Sequence, residues 1–448
     1  AGFALVAPGN VTLGADTASL ITSGNLLVTG GSLSGCACSS GGATVISILG
    51  NVAVNLHSAT GVFDTVASSE TGNVAVQVST GDLNIGDLAG HNIEVAVLGG
   101  MLTAMNPVSS GGDYALTAQD FGGNALLPTL APGATALNNV RIIDTLGEFG
   151  AGGTLVAAGN IEIRSAGHIT GTLLLRADGD VEVTGDSTRI GDVTGRDVKR
   201  SASAGAVDVV GSLTVGRNYT LGGADFLGNA LAAGGARLGD LLAVDGAGDF
   251  NYGTLDLGFV GTASLQATAG ELRGGDLTNL GGLSLSAAGI TTGSLRSSQG
   301  AVTLDSRAGI DVAGIEASSA IHAVAAGNLR FGSAALTGTG VNSFTAVAGG
   351  DLVFGAADAM SIASDNIFTS AGTAISGGGI TAAGTVAINL DRATELTAID
   401  GGTVQVAVRN GDLTIGDVVA VGAISIAGPA GTLSLGDIET SAGHIDIA

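Results

Sequence analysis

One short phrase governs what this chain can fold into. It is a glycine, a small or polar residue, then an apolar–variable–apolar triplet. Near the C-terminus it begins at Gly402, Gly411, Gly422, Gly431 and Gly443, so alternate units recur every 20 or 21 residues. A repeat of this length with one short β unit per half-period marks a solenoid. Five residues cannot bury an apolar face alone, so each unit must stack on the next. The same phrase opens at Gly50, Gly72, Gly81, Gly159, Gly179, Gly211, Gly300 and Gly350. Period-two alternation puts both apolar side chains on one face of a strand. Ile85, Val406, Ile415 and Leu433 are therefore expected to point inward and stack on their equivalents in adjacent turns. The glycine is expected to supply a corner with positive φ, and the Asn or Asp after it to bond its own local backbone.

Composition agrees with strand. Glycine is 78 of 448 residues and proline only 5, with no Gly-X-Y period, which excludes collagen. A hydrophobic share of 45% excludes a disordered chain. Val, Ile, Thr and Ser abound while Glu, Lys, Gln and Met are scarce. The expected fold is all-β, a parallel β-helix with about 20 residues per coil. It should run as one continuous solenoid over 1–448, with irregular, longer-looped coils at 101–150 and 216–260. The first irregular stretch holds Pro107, Pro128 and Pro132.

The net charge is −24, with Lys199 the one lysine, so nucleic acid and anionic membrane surfaces are not expected partners. No apolar run reaches the ~20 residues of a membrane helix. Residues 1–20 show neither a basic n-region nor an apolar h-region, and the first residue is Ala1, so a processed product or an excerpt is expected. Cys36 and Cys38 cannot complete a zinc site by themselves. They read as part of a plain turn or as a strained local disulfide.

One longer motif repeats. Asp113-Tyr-Ala-Leu-Thr-Ala-Gln-Asp-Phe-Gly-Gly-Asn-Ala-Leu126 matches Asn218-Tyr-Thr-Leu-Gly-Gly-Ala-Asp-Phe-Leu-Gly-Asn-Ala-Leu231, in the two irregular stretches. Tyr114, Phe121, Tyr219 and Phe226 are the candidate interaction surface of two projecting or widened coils. The competing reading is that these aromatics plug a wider core.

Phe3-Ala-Leu-Val-Ala-Pro-Gly-Asn-Val-Thr-Leu and the Gly-[Asn/Asp]-apolar-x-apolar phrases resemble filamentous-haemagglutinin-like exoproteins of two-partner secretion. The resemblance covers nearly the whole chain and is one of repeat style. It implies a right-handed parallel β-helix exported to the bacterial surface through an outer-membrane partner pore. It also implies contact with a host cell, a neighbouring cell or a matrix. The family's Asn-Pro-Asn secretion signature is not matched by Asn106-Pro107-Val108. The chain is thus expected to be shaft without the secretion domain.

Parallel β-helices also house polysaccharide lyases and hydrolases, so a carbohydrate-active enzyme is the alternative. Its candidate cluster is Asp178, Asp180, Glu182, Asp186, Arg189, Asp192, Arg196, Asp197, Lys199 and Arg200. The simpler reading is a solvated face of two or three coils. No dedicated calcium site is expected: the Gly-Gly-x-Gly-x-Asp nonapeptide is absent, and Asp178-Gly179-Asp180 offers too few oxygens. His91, His168 and His444 each follow a glycine and read as corner residues, and His57 and His322 carry no metal pattern. The expectation is therefore a non-catalytic structural or adhesive shaft with no cofactor and no catalytic residue. Neither end offers a capping element. The coil stack is expected to continue in a longer polypeptide, or chains to associate end to end.

Overall fold

The computed structural model describes residues 72–123, 125, 126, 128–132, 134–337, 343–354, 394–428 and 431–448, and elsewhere only strands between Phe3 and Ala67 and between Ile362 and Leu390. Among the described residues every regular element is a β-strand, and the strands pair in parallel as a β-solenoid. The chain divides into two compact units. One comprises residues 1–216 and 227–235, the other 217–226 and 236–448.

In the first unit one face is the succession Asn73–Val78, Asn92–Val97, Tyr114–Ala118, Val140–Asp144, Ile161–Ser165, Val181–Gly185 and Val198–Ala202. A second face stacks Leu83–Gly90, Met101–Ala104 and Asp120–Gly123, and farther on Phe149–Ala157 and Ile169–Ala177. Most turns advance by about 20 residues, as from Val140 to Ile161 to Val181. The turn from Tyr114 to Val140 is longer, inside the stretch expected to be irregular. In the second unit Leu241–Asp245, Ala263–Ala267, Leu283–Ala287, Val302–Ser306, Ala320–Ala325 and Ser343–Ala348 follow the same rule.

The core consists of vertical apolar columns. Ile142, Ile163 and Val183 are in register in the first unit, and Leu265, Leu285 and Leu304 in the second. All six are fully buried. Each such side chain contributes about 1.5–3 kcal/mol by leaving water. Ile85, Val406 and Ile415 face inward as the alternation requires. Leu433 is only half-buried, because its strand pairs with Leu413–Ala420 beneath and no described strand covers its other side.

The corners differ from the expectation in a physically clear way. The corner Asn or Asp, after a glycine at Asn160 and Asp240 but not at Asn139 and Asn218, accepts a hydrogen bond from the backbone of the following turn, not from its own. Asn139 Oδ1 takes the N–H of Asn160 at 2.9 Å, and Asn160 Oδ1 takes that of Asp180 at 2.8 Å. In the second unit Asn218 serves Asp240 and Asp240 serves Thr262. Parallel stacking brings the next N–H one strand spacing away, about 4.8 Å between backbones, within reach of a short side chain. The ladder also explains the glycine. Gly159 and Gly179 have no positive φ. A Cβ on Gly159 would instead lie 2.2 Å from Asn139 Oδ1, and one on Gly179 2.3 Å from Asn160 Oδ1. The corner demands glycine because the ladder side chain fills that space. Positive φ occurs at Gly81 and Gly411.

Candidate functional site

The twin motifs adopt matching local structures. Tyr114 and Tyr219 each begin a strand, Tyr114–Ala118 and Tyr219–Gly223, and point inward. Each is only 1% exposed. The Tyr114 hydroxyl donates to the Ala125 carbonyl at 2.5 Å, and burial pushes its pKa far above the usual phenol value. Asp120 and Asp225 accept the N–H groups of Phe121 and Phe226. Gly123 and Gly228 both take positive φ, +62° and +60°. Phe121 lies edge-on to Phe149 at 6.5 Å, and Phe226 is tilted against Phe250 at 5.0 Å.

The two tyrosines fill the interior of their turns, of which only the first is lengthened, running from Tyr114 to Val140, while that from Tyr219 to Leu241 matches the next from Leu241 to Ala263. The candidate surface is corrected accordingly: the rings of Tyr114 and Tyr219 are unavailable to a partner, and Phe121 and Phe226 are half-buried against other aromatics. A turn with extra residues encloses a larger cross-section, and a tyrosine ring fills it while its hydroxyl satisfies a buried carbonyl.

The duplication extends farther than the motif read from sequence. Asp144-Thr-Leu-Gly-Glu-Phe149 and Asp245-Gly-Ala-Gly-Asp-Phe250 are equivalent. Each aspartate ends a strand, faces inward and is 1–2% exposed. Asp144 Oδ1 accepts from the N–H groups of Leu146 at 3.1 Å and Gly147 at 2.7 Å. Asp245 Oδ1 accepts from Ala247 and Gly248, both at 3.0 Å. The other oxygen, Oδ2, is buried and unpartnered within the protein in both. Sequence reasoning missed the pair, although the shared Asp-x-x-Gly-[Glu/Asp]-Phe pattern was a readable signal.

The charged cluster is a set of ladders. Arg141, Glu162, Glu182 and Lys199 occupy successive outward positions in register. Glu162 pairs with Arg141 at 3.2 Å and Arg164 at 2.6 Å, and Glu182 pairs with Lys199 at 3.0 Å. Asp180 is held by Arg196 at 2.9 Å and Arg189 meets Asp208 at 3.4 Å. Asp186 accepts from the Ser203 hydroxyl. Asp192 accepts from both the N–H and the hydroxyl of Ser212. The expectation of a solvated face fails at one residue. Arg200 takes an inward slot above Val183 and is fully buried. Its Nη2 donates to the Asp208 carbonyl at 3.0 Å and the Thr188 hydroxyl at 3.2 Å. Lateral pairing along a stack is the opposite of convergence on one bond, which an acid–base pair needs.

His168 lies at an exposed corner with Nδ1 2.8 Å from Ser187 Oγ. His322 faces outward between Thr303 and Thr345. Cys36, Cys38 and His57 lie outside the described residues. Among the described residues no three His, Cys, Asp or Glu side chains are grouped as a metal ion would need.

Two carboxylates are displaced in opposite directions. Burial, reinforced by the charge of Asp120, holds Asp144 above the usual range against the pull of its two backbone hydrogen bonds. The Ser212 N–H, then the Ser212 hydroxyl, hold Asp192 below it. The signs for stability differ. Asp192 contributes stability above the ordinary carboxylate pKa that is lost as pH falls through its depressed value. Asp144 does the reverse: its ionisation weakens the fold as pH rises from the ordinary value to the raised one. Carboxyl ¹³C NMR should show Asp192 titrating below, and Asp144 above, the exposed aspartates. Coincident midpoints would contradict the burial argument.

The fold and these sites define a parallel β-solenoid. In comparisons with known proteins, the chain matches no family model, no curated protein and no solved structure.

Proposed function

We propose that the chain is a non-catalytic structural shaft of a large secreted bacterial surface protein, presenting an adhesive or fibre-forming stack of coils. The observation that carries this reading is where the outward polar groups go. The carboxylates and cations of 141–208 are largely spent on one another between turns, and corner Asn and Asp side chains on the next turn's backbone. Such ladders stiffen a stack and leave few charged groups to converge on a substrate. The repeat-style likeness to filamentous-haemagglutinin-like exoproteins supports export through a partner pore and a place at the cell surface.

Two measurements test it. Protease applied to intact cells of the source organism should degrade the protein, and it should survive only if it lies inside. The purified chain should release no unsaturated or reducing sugar from a panel of acidic and neutral polysaccharides. Turnover of any of them would favour the carbohydrate-active alternative and overturn the shaft.

A further inference from the structure

Two hydrogen bonds in the second unit skip a turn. The phenol oxygen of Tyr252 lies 2.5 Å from Thr292 Oγ1, 40 residues later. Arg307 Nη2 donates to the Thr268 carbonyl at 2.6 Å, 39 residues earlier. The corner ladders, by contrast, join adjacent turns, as Asn218 to Asp240 and Asp240 to Thr262.

The first bond follows from the register. Tyr252, Gly274 and Thr292 stand in one column on successive turns. The middle member has no side chain, and the Tyr252 ring takes its place: a Cβ on Gly274 would lie 2.2 Å from ring atoms Cε2 and Cζ. The ring therefore passes over the middle turn, held edge-on by Phe250 at 6.4 Å, and its hydroxyl meets the buried Thr292. Thr292 Oγ1 itself donates to the Gly275 carbonyl of the middle turn at 2.9 Å. A threonine hydroxyl has one proton, so Tyr252 is the donor to Thr292. Burial pushes the phenol up to about 12, so it keeps that proton at neutral pH.

The second bond overlaps the first. Thr268 follows the strand Ala263–Ala267, Ala288 follows Leu283–Ala287, and Arg307 follows Val302–Ser306. Arg307 thus reaches across the turn of Ala288. The tyrosine ties the turn that begins at Leu241 to the one that begins at Leu283, and the arginine ties that of Ala263 to that of Val302.

We propose that these overlapping straps make the stretch from Leu241 to Ser306 one cooperative block, at which unravelling of the stack halts. Where each turn touches only its neighbours, opening spreads turn by turn. A bond that skips a turn removes that freedom, because the middle turn cannot leave while a side chain lies across it. The inference concerns how the stack opens, and it holds for a shaft or an enzyme alike.

The test is hydrogen exchange on the full chain over a series of low denaturant concentrations. In the wild type, Leu241–Asp245, Ala263–Ala267, Leu283–Ala287 and Val302–Ser306 should exchange through one shared opening. Tyr252→Phe keeps the ring and removes the donor. It should free Leu241–Asp245 from the shared opening and lower its protection by roughly fivefold or more. Gly274→Ala, which puts a methyl where the ring lies, should do the same. Arg307→Met should free Val302–Ser306 instead. Arg296→Gln breaks only the adjacent-turn pair with Glu316 at 3.3 Å and should free neither. Separate openings in the wild type would overturn the block, and so would a shared opening that survives both Tyr252→Phe and Arg307→Met.

Discussion

Ile415→Asp should destabilise the turns around it by about 3–5 kcal/mol, the cost of an uncompensated buried charge. Ile415 is 1% exposed in the strand Leu413–Ala420, with Leu396 in register beneath and Leu435 above. Its described neighbours in register, Leu396 and Leu435, are apolar, so the new carboxylate must either stay charged beside them or take up a proton at a cost. A solenoid is stabilised chiefly by contacts between neighbouring turns. Damage should therefore appear first as lost hydrogen-exchange protection in Thr394–Val408 and Leu413–Ala420, and then as an earlier thermal transition. Thr414→Asp, one residue away on the outward face, is the control and should change stability by less than about 0.5 kcal/mol. Equal stability of Ile415→Asp and the wild type would show that the inward face has been misassigned.

How much of this was legible in the sequence depended on how local the determining physics is. Strand positions and inward faces follow from alternation within five residues, so Ile85, Val406 and Ile415 could be placed from the phrase alone. Leu433 fits the same phrase and is nevertheless half-buried, because burial in a solenoid also depends on what lies one turn away. The corner chemistry was misread for that reason. Asn160, after Gly159, looks like a residue that bonds its own turn, yet its acceptor oxygen serves Asp180, 20 positions later. The glycine at 179 then answers to Asn160 and not to its own backbone angle. Arg200 was hidden by its type: an arginine in a charged segment reads as surface, although Val198-Lys199-Arg200 places it in an inward slot. The aromatic twins were found by repetition, but repetition cannot tell a plug from a protrusion. Both tyrosines occupy inward slots of the strand alternation and are buried alike, although only the Tyr114 turn carries extra residues.

Tyr114→Ala tests that account of the widened turn and should be the costliest truncation in the first unit, about 3–5 kcal/mol by analogy with large-to-small changes at buried aromatics. The residue is among the largest fully buried side chains of the protein, in register with Ile93 on one side and Val140 on the other. Removing the ring leaves a void that rigid stacked strands cannot close, and strands the Ala125 carbonyl. Tyr114→Phe separates the two contributions. It keeps the ring and removes only the hydroxyl, so its cost should be about 1–3 kcal/mol, the penalty of an unsatisfied buried acceptor. Unfolding by denaturant, with exchange protection read at Asn92–Val97 and Val140–Asp144, gives both numbers. If the ring were instead a docking element, Tyr114→Ala would leave stability intact and lower affinity for a partner. At 1% exposure the physics requires the opposite order: stability falls first, and surface recognition by the neighbouring turns fails only where they unfold.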